Sequence, residues 1–191
     1  MRSAELHECD DVSLLGRARA GDLDAFGELI HRHERPALRL AAVVAGESEA
    51  DDIVQEAFVK IQRQLGSYRG NGTVRSWLLR VVANEAKNHV RSQVRQRRRD
   101  DRHARRSPQT TRGVDDAVIE RLEHEQLADA LAALSERDRA VLGCRYVTGL
   151  TEAETAEVLG TAVGTVKSRT SRALDHLEIQ LGRLDGTGDT P

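Results

Sequence analysis

Residues 151–172 read TEAETAEVLGTAVGTVKSRTSR, two short helical patterns hinged at Gly160. Helix, tight turn, second helix is the simplest way to present an α-helix to a DNA major groove. Thr151 and Glu154 are spaced as a capping box, so the first helix should start there. Gly160 stands where a helix ends at positive φ. Apolar positions then resume at Val163, Val166, Ala173, Leu174, Leu177 and Leu181, which the spacing predicts as one inward face. Lys167, Ser168, Ser171 and Arg172 fall off that face and are free to meet a duplex. The plainer alternative is a helical hairpin with a solvated basic side.

The rest of the chain is helical in pattern too. It has 191 residues, 39% hydrophobic and 31% charged, with three Pro and only 3% aromatic residues. Such a composition, rich in Ala, Leu, Arg and Glu, favours an all-α protein. Apolar residues recur at helical spacing from Asp11, again through Ala25, Phe26, Leu29 and Ile30, and on past Pro36, where a kink or restart is expected. Ser48 offers a cap for the next helix, whose face is Ile53, Val54, Ala57, Phe58, Ile61 and Leu65. Three glycines and Asn71 mark residues 66–73 as a loop. A long helix follows from Arg75, with Trp77, Leu78, Val81, Val82, Ala86 and Val90 turned inward and Trp77 as a core anchor. Beyond Val94 the periodicity stops, and it returns at Asp115, with Ser135 capping a helix that ends at Gly149.

Two small helical domains joined by a flexible basic linker are therefore expected. The divisions are a mobile arm (1–10), a first domain (11–96), the linker (97–114), a second domain (115–181) and a disordered tail (182–191). Net charge is only −2, but the charges are segregated. Residues 87–106 carry nine Lys or Arg against two Asp, whereas residues 47–56 carry five acids and no base. Residues 115–129 carry six acids and one base. That division suits one surface for phosphates and another for a protein partner.

Other classes find little support. Cys9 and Cys144 form no disulfide framework, which fits a reducing cytoplasm, and Cys144 reads as a buried apolar side chain. The N-terminus, MRSAELHECDD, is acidic and has no apolar core, so no signal peptide and no membrane insertion are expected. His31, His33 and Glu34 are the one cluster with metal-site chemistry, and they read as solvent-side helix residues. His7 and Cys9 in the arm are weak ligands. With no phosphate loop, nucleophile elbow or metal spacing, no cofactor, metal or catalytic residue is expected.

A helix-turn-helix alone could belong to many regulators, and the first domain discriminates between them. DDIVQEAF at 51–58 and RSWLLRVVANEAKNHVR from Arg75 stand between RARAGDLDAF and LSERDRAVLGCRYVTGLTEAETAEVLG…VGTVKSR. In this order the text resembles the extracytoplasmic-function (ECF, group IV) RNA polymerase sigma factors of the sigma-70 family, over residues 12–99 and 117–180. The resemblance implies a region 2 helical bundle that binds core RNA polymerase and the minus-ten element. It implies a region 4 helix-turn-helix domain for the minus-thirty-five element, with the clamp of the beta-prime subunit and the flap of the beta subunit as polymerase contacts. An anti-sigma factor is the implied controller, seated between or around the domains. The rival is a helix-turn-helix transcription regulator that is not a sigma factor.

Site residues follow from the resemblance and from side-chain chemistry together. Asp51, Asp52, Gln55, Glu56 and Phe58 are expected to dock on polymerase, a polar acidic ridge suited to a basic coiled coil. Tyr68, Arg69 and Asn71 of the glycine loop are expected at a flipped minus-ten base, with Tyr68 available for stacking. Arg75, Arg80, Asn84, Lys87, Asn88 and Arg91 form a stripe for phosphates and base edges. Thr151, Lys167, Ser168, Arg169, Ser171 and Arg172 are expected at the minus-thirty-five element, Thr151 offering its amide and hydroxyl to phosphate. Two positions depart from the family text. Thr155 stands where a buried Ile is common and needs a partner for its hydroxyl, such as a carbonyl one turn back. Ala162 stands where Ser caps the recognition helix, so a soft second domain is expected.

Overall fold

The structure, a computed structural model of the chain, describes residues 6–100 and 118–185, the side chains of 98–100, 118–124 and 184–185 excepted. The expected linker lies mainly outside these residues, as does most of the tail. Every regular element among the described residues is helical. In order they are α1 (Asp11–Arg19), α2 (Leu23–Ala45), α3 (Glu47–Arg63), α4 (Val74–Asp100), α5 (Val118–Ala133), α6 (Glu136–Leu142), α7 (Glu152–Leu159) and α8 (Val163–Asp185). A single 3₁₀ turn, Leu65–Ser67, follows α3, and a π turn, Gly143–Val147, follows α6. Helix α4 runs through residue 100, past the expected linker start at 97, and α8 runs through residue 185, past the expected tail start at 182.

The starts and stops have local causes. Asp10 accepts from the Ser13 amide at the head of α1, and Asp22 accepts from the Asp24 and Ala25 amides at the head of α2. Ser135 accepts from the Asp138 amide to start α6. Thr151 and Glu154 close a reciprocal capping box on α7, and Gly160 ends that helix at φ 63°, ψ 44°, the left-handed geometry that glycine adopts without penalty. Pro36 neither breaks nor restarts α2, which stays one helix. Helix α3 starts at Glu47 on Gly46 without a side-chain cap, because the Ser48 hydroxyl turns to Glu49 instead.

Helices α1 to α4 pack around Leu14, Leu15, Leu29, Leu40, Ile53, Ile61, Leu78 and Val82, all essentially inaccessible. Burying one such side chain contributes ~1.5–3 kcal/mol. Trp77 is buried in this core, as its position in the apolar face predicts. A smaller core of Leu134, Val141, Leu142, Ala156, Val166 and Ala173 holds the second domain. Val163 and Leu174 stay 45% and 39% exposed, contrary to the inward face expected of them. Val163 sits in the first turn of α8, and Leu174 lies one residue, hence about 100°, round from buried Ala173.

The first core does not stop at the first domain. Ala140, Cys144, Leu150 and Val158 of the second domain belong to it. The two expected helical domains thus pack on each other as well: the π turn and α7 lie on α2 and α4. The described part of the expected mobile arm is likewise fixed. The Arg32 guanidinium donates to the carbonyls of Leu6, His7 and Cys9, and His7 pairs with Glu28 at 2.8 Å. Leu6 is buried beneath it. No helix among the described residues is long and apolar enough to cross a membrane.

Candidate nucleic-acid interface

Three surfaces carry the expected site residues. On α3, alternation of core and solvent positions leaves Asp51, Asp52, Gln55 and Glu56 exposed, while Ile53, Val54 and Ala57 go inward. Phe58 is half-buried against the core, so it supports the ridge more than it extends it. Lys60 lies beside the ridge and pairs with Glu85 at 2.5 Å.

The glycine loop joins that ridge to α4. Its Tyr68 is not a free stacking platform. The ring centroid lies 5.9 Å from that of Trp77, the Arg19 guanidinium sits 5.9 Å over the ring, and the hydroxyl donates to the Gly72 carbonyl at 2.9 Å. Arg19 also donates to the Leu65 and Tyr68 carbonyls. Tyr68 therefore shapes the loop, leaving Arg69 and Asn71 exposed at its tip. Arg19 was not legible as a site residue, since its partners are backbone oxygens 46 and 49 residues away.

Along α4 the expected stripe lies opposite the core face. Arg80, Asn84, Asn88 and Arg91 are exposed, Arg75 and Lys87 half-buried. Arg75 donates to the Thr148 carbonyl, and Arg91 donates to Glu136 at 3.2 Å. Burial pushes the Lys87 ammonium below its ordinary value, with Glu136 opposing that shift. Burial also pushes the Cys144 thiol beneath it up to about 12, so Cys144 is an inert apolar group.

On α8, Lys167, Ser168, Ser171 and Arg172 are exposed together and Arg169 is half-buried. Arg172 donates to the Ser168 carbonyl at 3.2 Å and the Ser168 hydroxyl to the Thr165 carbonyl at 3.3 Å, contacts within the helix that a duplex can replace. Thr151 departs from its expected role. Its amide and hydroxyl both donate to Glu154 Oε2, at 2.9 and 2.8 Å, and these bonds hold the Glu154 carboxyl below its ordinary value. Neither donor is free for phosphate, and a carboxylate lies in the way.

His33 also differs from expectation. It is 6% exposed, not on the solvent side, and its Nε2 donates to Asp11 Oδ2 at 2.7 Å. His31 and Glu34 are exposed and turned elsewhere. Among the described residues no group of three or more His, Cys, Asp or Glu could hold a metal ion.

Sigma-70 region 2 matches residues 29–96, and sigma-70 region 4 matches residues 124–177. The ECF RNA polymerase sigma factor SigM of Mycobacterium tuberculosis (strain H37Rv) is 36% identical over 180 residues, 94% of this chain and 88% of SigM. The chain is a member of the ECF sigma factors, within the sigma-70 family. The ECF sigma-E factor of Haemophilus influenzae is 30% identical over 182 residues, 91% of this chain and 96% of that one. Among solved structures, CnrH in complex with the cytosolic domain of CnrY is similar at TM-score 0.69 and 27% identity, covering 91% of this chain and 97% of that chain. The sigma factor RpoE in complex with the anti-sigma factor NepR, from Bartonella quintana, is similar at TM-score 0.60 and 26% identity, covering 77% and 91%.

Proposed function

We propose that this sigma factor docks on core RNA polymerase through Asp51, Asp52, Gln55 and Glu56, and grips its promoter at two separate places. The observation that carries the reading is the exposed acidic ridge on α3, rigidly backed by the bundle core and set beside a basic helix. A polymerase clamp offers basic surface to such a ridge, and charge complementarity sets orientation and rate of docking. Arg69 and Asn71 at the loop tip, with Arg75, Arg80, Asn84, Lys87, Asn88 and Arg91 behind them, take the minus-ten strand. Lys167, Ser168, Ser171 and Arg172 read the minus-thirty-five major groove, and Arg169 contacts phosphate. The chain supplies recognition alone, and the polymerase performs the chemistry. Its DNA and polymerase partners place its work in the cytoplasm.

Control by an anti-sigma factor is part of the same reading. A groove of about 980 Å³ runs between the domains, floored by Val43, Val90, Val94, Leu127 and Leu131. Arg91, Arg95, Arg97 and Arg139 outnumber Glu47 and Glu136 on its rim. An acidic amphipathic helix of an anti-sigma factor fits that chemistry and would bridge both domains. The experiment is capture of core polymerase on the immobilised chain. Wild type should retain polymerase, and Asp51→Arg with Asp52→Arg should lose it while keeping the helical spectrum. Retention by the double variant would overturn the docking assignment.

A further inference from the structure

The glycine loop is held from outside by one side chain. Arg19, at the end of α1, donates through Nε to the Leu65 carbonyl at 2.8 Å and through Nη2 to the Tyr68 carbonyl. Its guanidinium also lies 5.9 Å over the Tyr68 ring. The nearby Asp22 carboxylate is already taken, one oxygen by Arg17 and the other by the first amides of α2. Arg19 therefore has no ion pair among the described residues and spends its planar fork on two backbone oxygens three residues apart. That fixes the entry of the loop in both distance and angle. The flexible ammonium of a lysine has no such fork.

The loop has little else to order it. None of residues 66–73 is buried, and Tyr68 alone is half-buried. Gly70 and Gly72 stand at φ 80° and 75°, one conformation among the many that glycine can adopt. Tyr68 carries the hold across the loop, its hydroxyl donating to the Gly72 carbonyl at 2.9 Å. At the exit the Thr73 hydroxyl accepts from the Ser76 amide at 3.0 Å, at the head of α4. Arg69 and Asn71 are left exposed between these fixed points. An exposed loop gains from a set shape where a ligand meets it, because the ordering is then complete before binding.

We infer that Arg19 is a positioning residue for base recognition: it presets the 66–73 loop, so that Arg69 and Asn71 meet the minus-ten strand in the conformation that reads it. The inference rests on the assignment of that loop to minus-ten DNA. Arg19 acts through the loop, since two of its donors and the face of its guanidinium are turned to it. Its loss blurs which base is chosen, and leaves polymerase docking and the electrostatic hold on the strand unchanged.

The test is selection from a random-sequence single-stranded DNA 12-mer pool on the holoenzyme formed with core polymerase, with the bound strands sequenced. Wild type should enrich one position for a single base, and Asn71→Ala should erase that preference. Arg19→Ala should weaken it about tenfold, the scale of two charge-assisted hydrogen bonds in solvated surroundings. Arg19→Lys, which keeps the charge, should not restore it. Both variants should keep the helical spectrum, the capture of core polymerase and the wild-type salt slope for the pool. A direct phosphate contact by Arg19 would instead lower the log–log slope by about 0.7 and be restored by lysine. Wild-type selectivity in Arg19→Ala, or rescue by lysine, overturns the positioning role while the loop keeps its reading role. Where Arg19→Ala fails to fold, Tyr68→Phe removes only the hydroxyl that holds Gly72; it should lower the same preference, and an unaltered preference overturns the inference. A preference untouched by both Asn71→Ala and Arg69→Ala removes the loop from base reading, and the role of Arg19 with it.

Discussion

Thr155→Val should stabilise the protein. Thr155 is 0% exposed in α7, and its hydroxyl has no hydrogen-bond partner. The carbonyl one turn back, that of Thr151, accepts the Thr155 amide at 2.9 Å but not the hydroxyl, so the expected local partner is not used. A buried hydroxyl left unpaired costs about 1–3 kcal/mol. Valine keeps the shape and removes that cost, and its helix propensity is close to that of threonine. Because the second domain shares a core with the first, the whole chain should melt as one unit. For a unit of this size each kcal/mol moves Tm by about 2–4 °C, so a rise of roughly 5 °C is expected. Differential scanning calorimetry reads it directly. Thr155→Ser, which keeps the hydroxyl and loses the methyl, should fall below wild type. A Val variant no more stable than wild type would refute the reasoning, because the hydroxyl would then have found a partner.

Three further outcomes follow from particular residues. Ala162 is the N-cap of α8, its carbonyl accepting from the Thr165 and Val166 amides at 2.9 and 3.1 Å, so Ala162→Ser should add about 0.5–2 kcal/mol; an unchanged melting temperature would contradict it. Lys167→Ala and Arg172→Ala should each weaken promoter binding by ~1–3 kcal/mol in a mobility-shift titration without lowering Tm, since both side chains are exposed; undiminished binding by the double variant would remove them from the interface. Burial pushes the His33 imidazole below its ordinary value against the pull of Asp11. The unfolded chain therefore takes up a proton near pH 6.5 that the folded chain refuses, and stability should fall as pH drops below that value. In His33→Gln this part of the pH dependence should vanish from urea titrations at pH 7.5 and 5.5, and identical profiles would contradict it.

The helices were legible because their signals are local. The Thr151–Glu154 box, the Ser135 cap and the Gly160 stop each work within four residues, and each formed as its spacing predicts. The exposed ridge of α3 and the exposed quartet of α8 followed from helical periodicity alone. What periodicity could not show was the company each face keeps. Nothing in the spacing of His33 distinguishes a solvated imidazole from one buried on Asp11, 22 residues away. The role of Tyr68 was hidden in the same way, because Arg19 and Trp77 reach it through the fold. The contacts of Arg139 with Val44 and of Gly143 with Leu40 span about a hundred residues of chain. The basic linker marked two helical domains, but nothing in it showed that they pack on one another.

The most direct test of the whole account is transcription by core RNA polymerase supplemented with this chain, with the 5′ ends of the transcripts sequenced. A discrete set of start sites is predicted that core polymerase alone does not use, each preceded by two shared elements. Those starts should weaken with Lys167→Ala and Arg172→Ala, and disappear with Asp51→Arg and Asp52→Arg. Transcripts indistinguishable from those of core polymerase alone would contradict it.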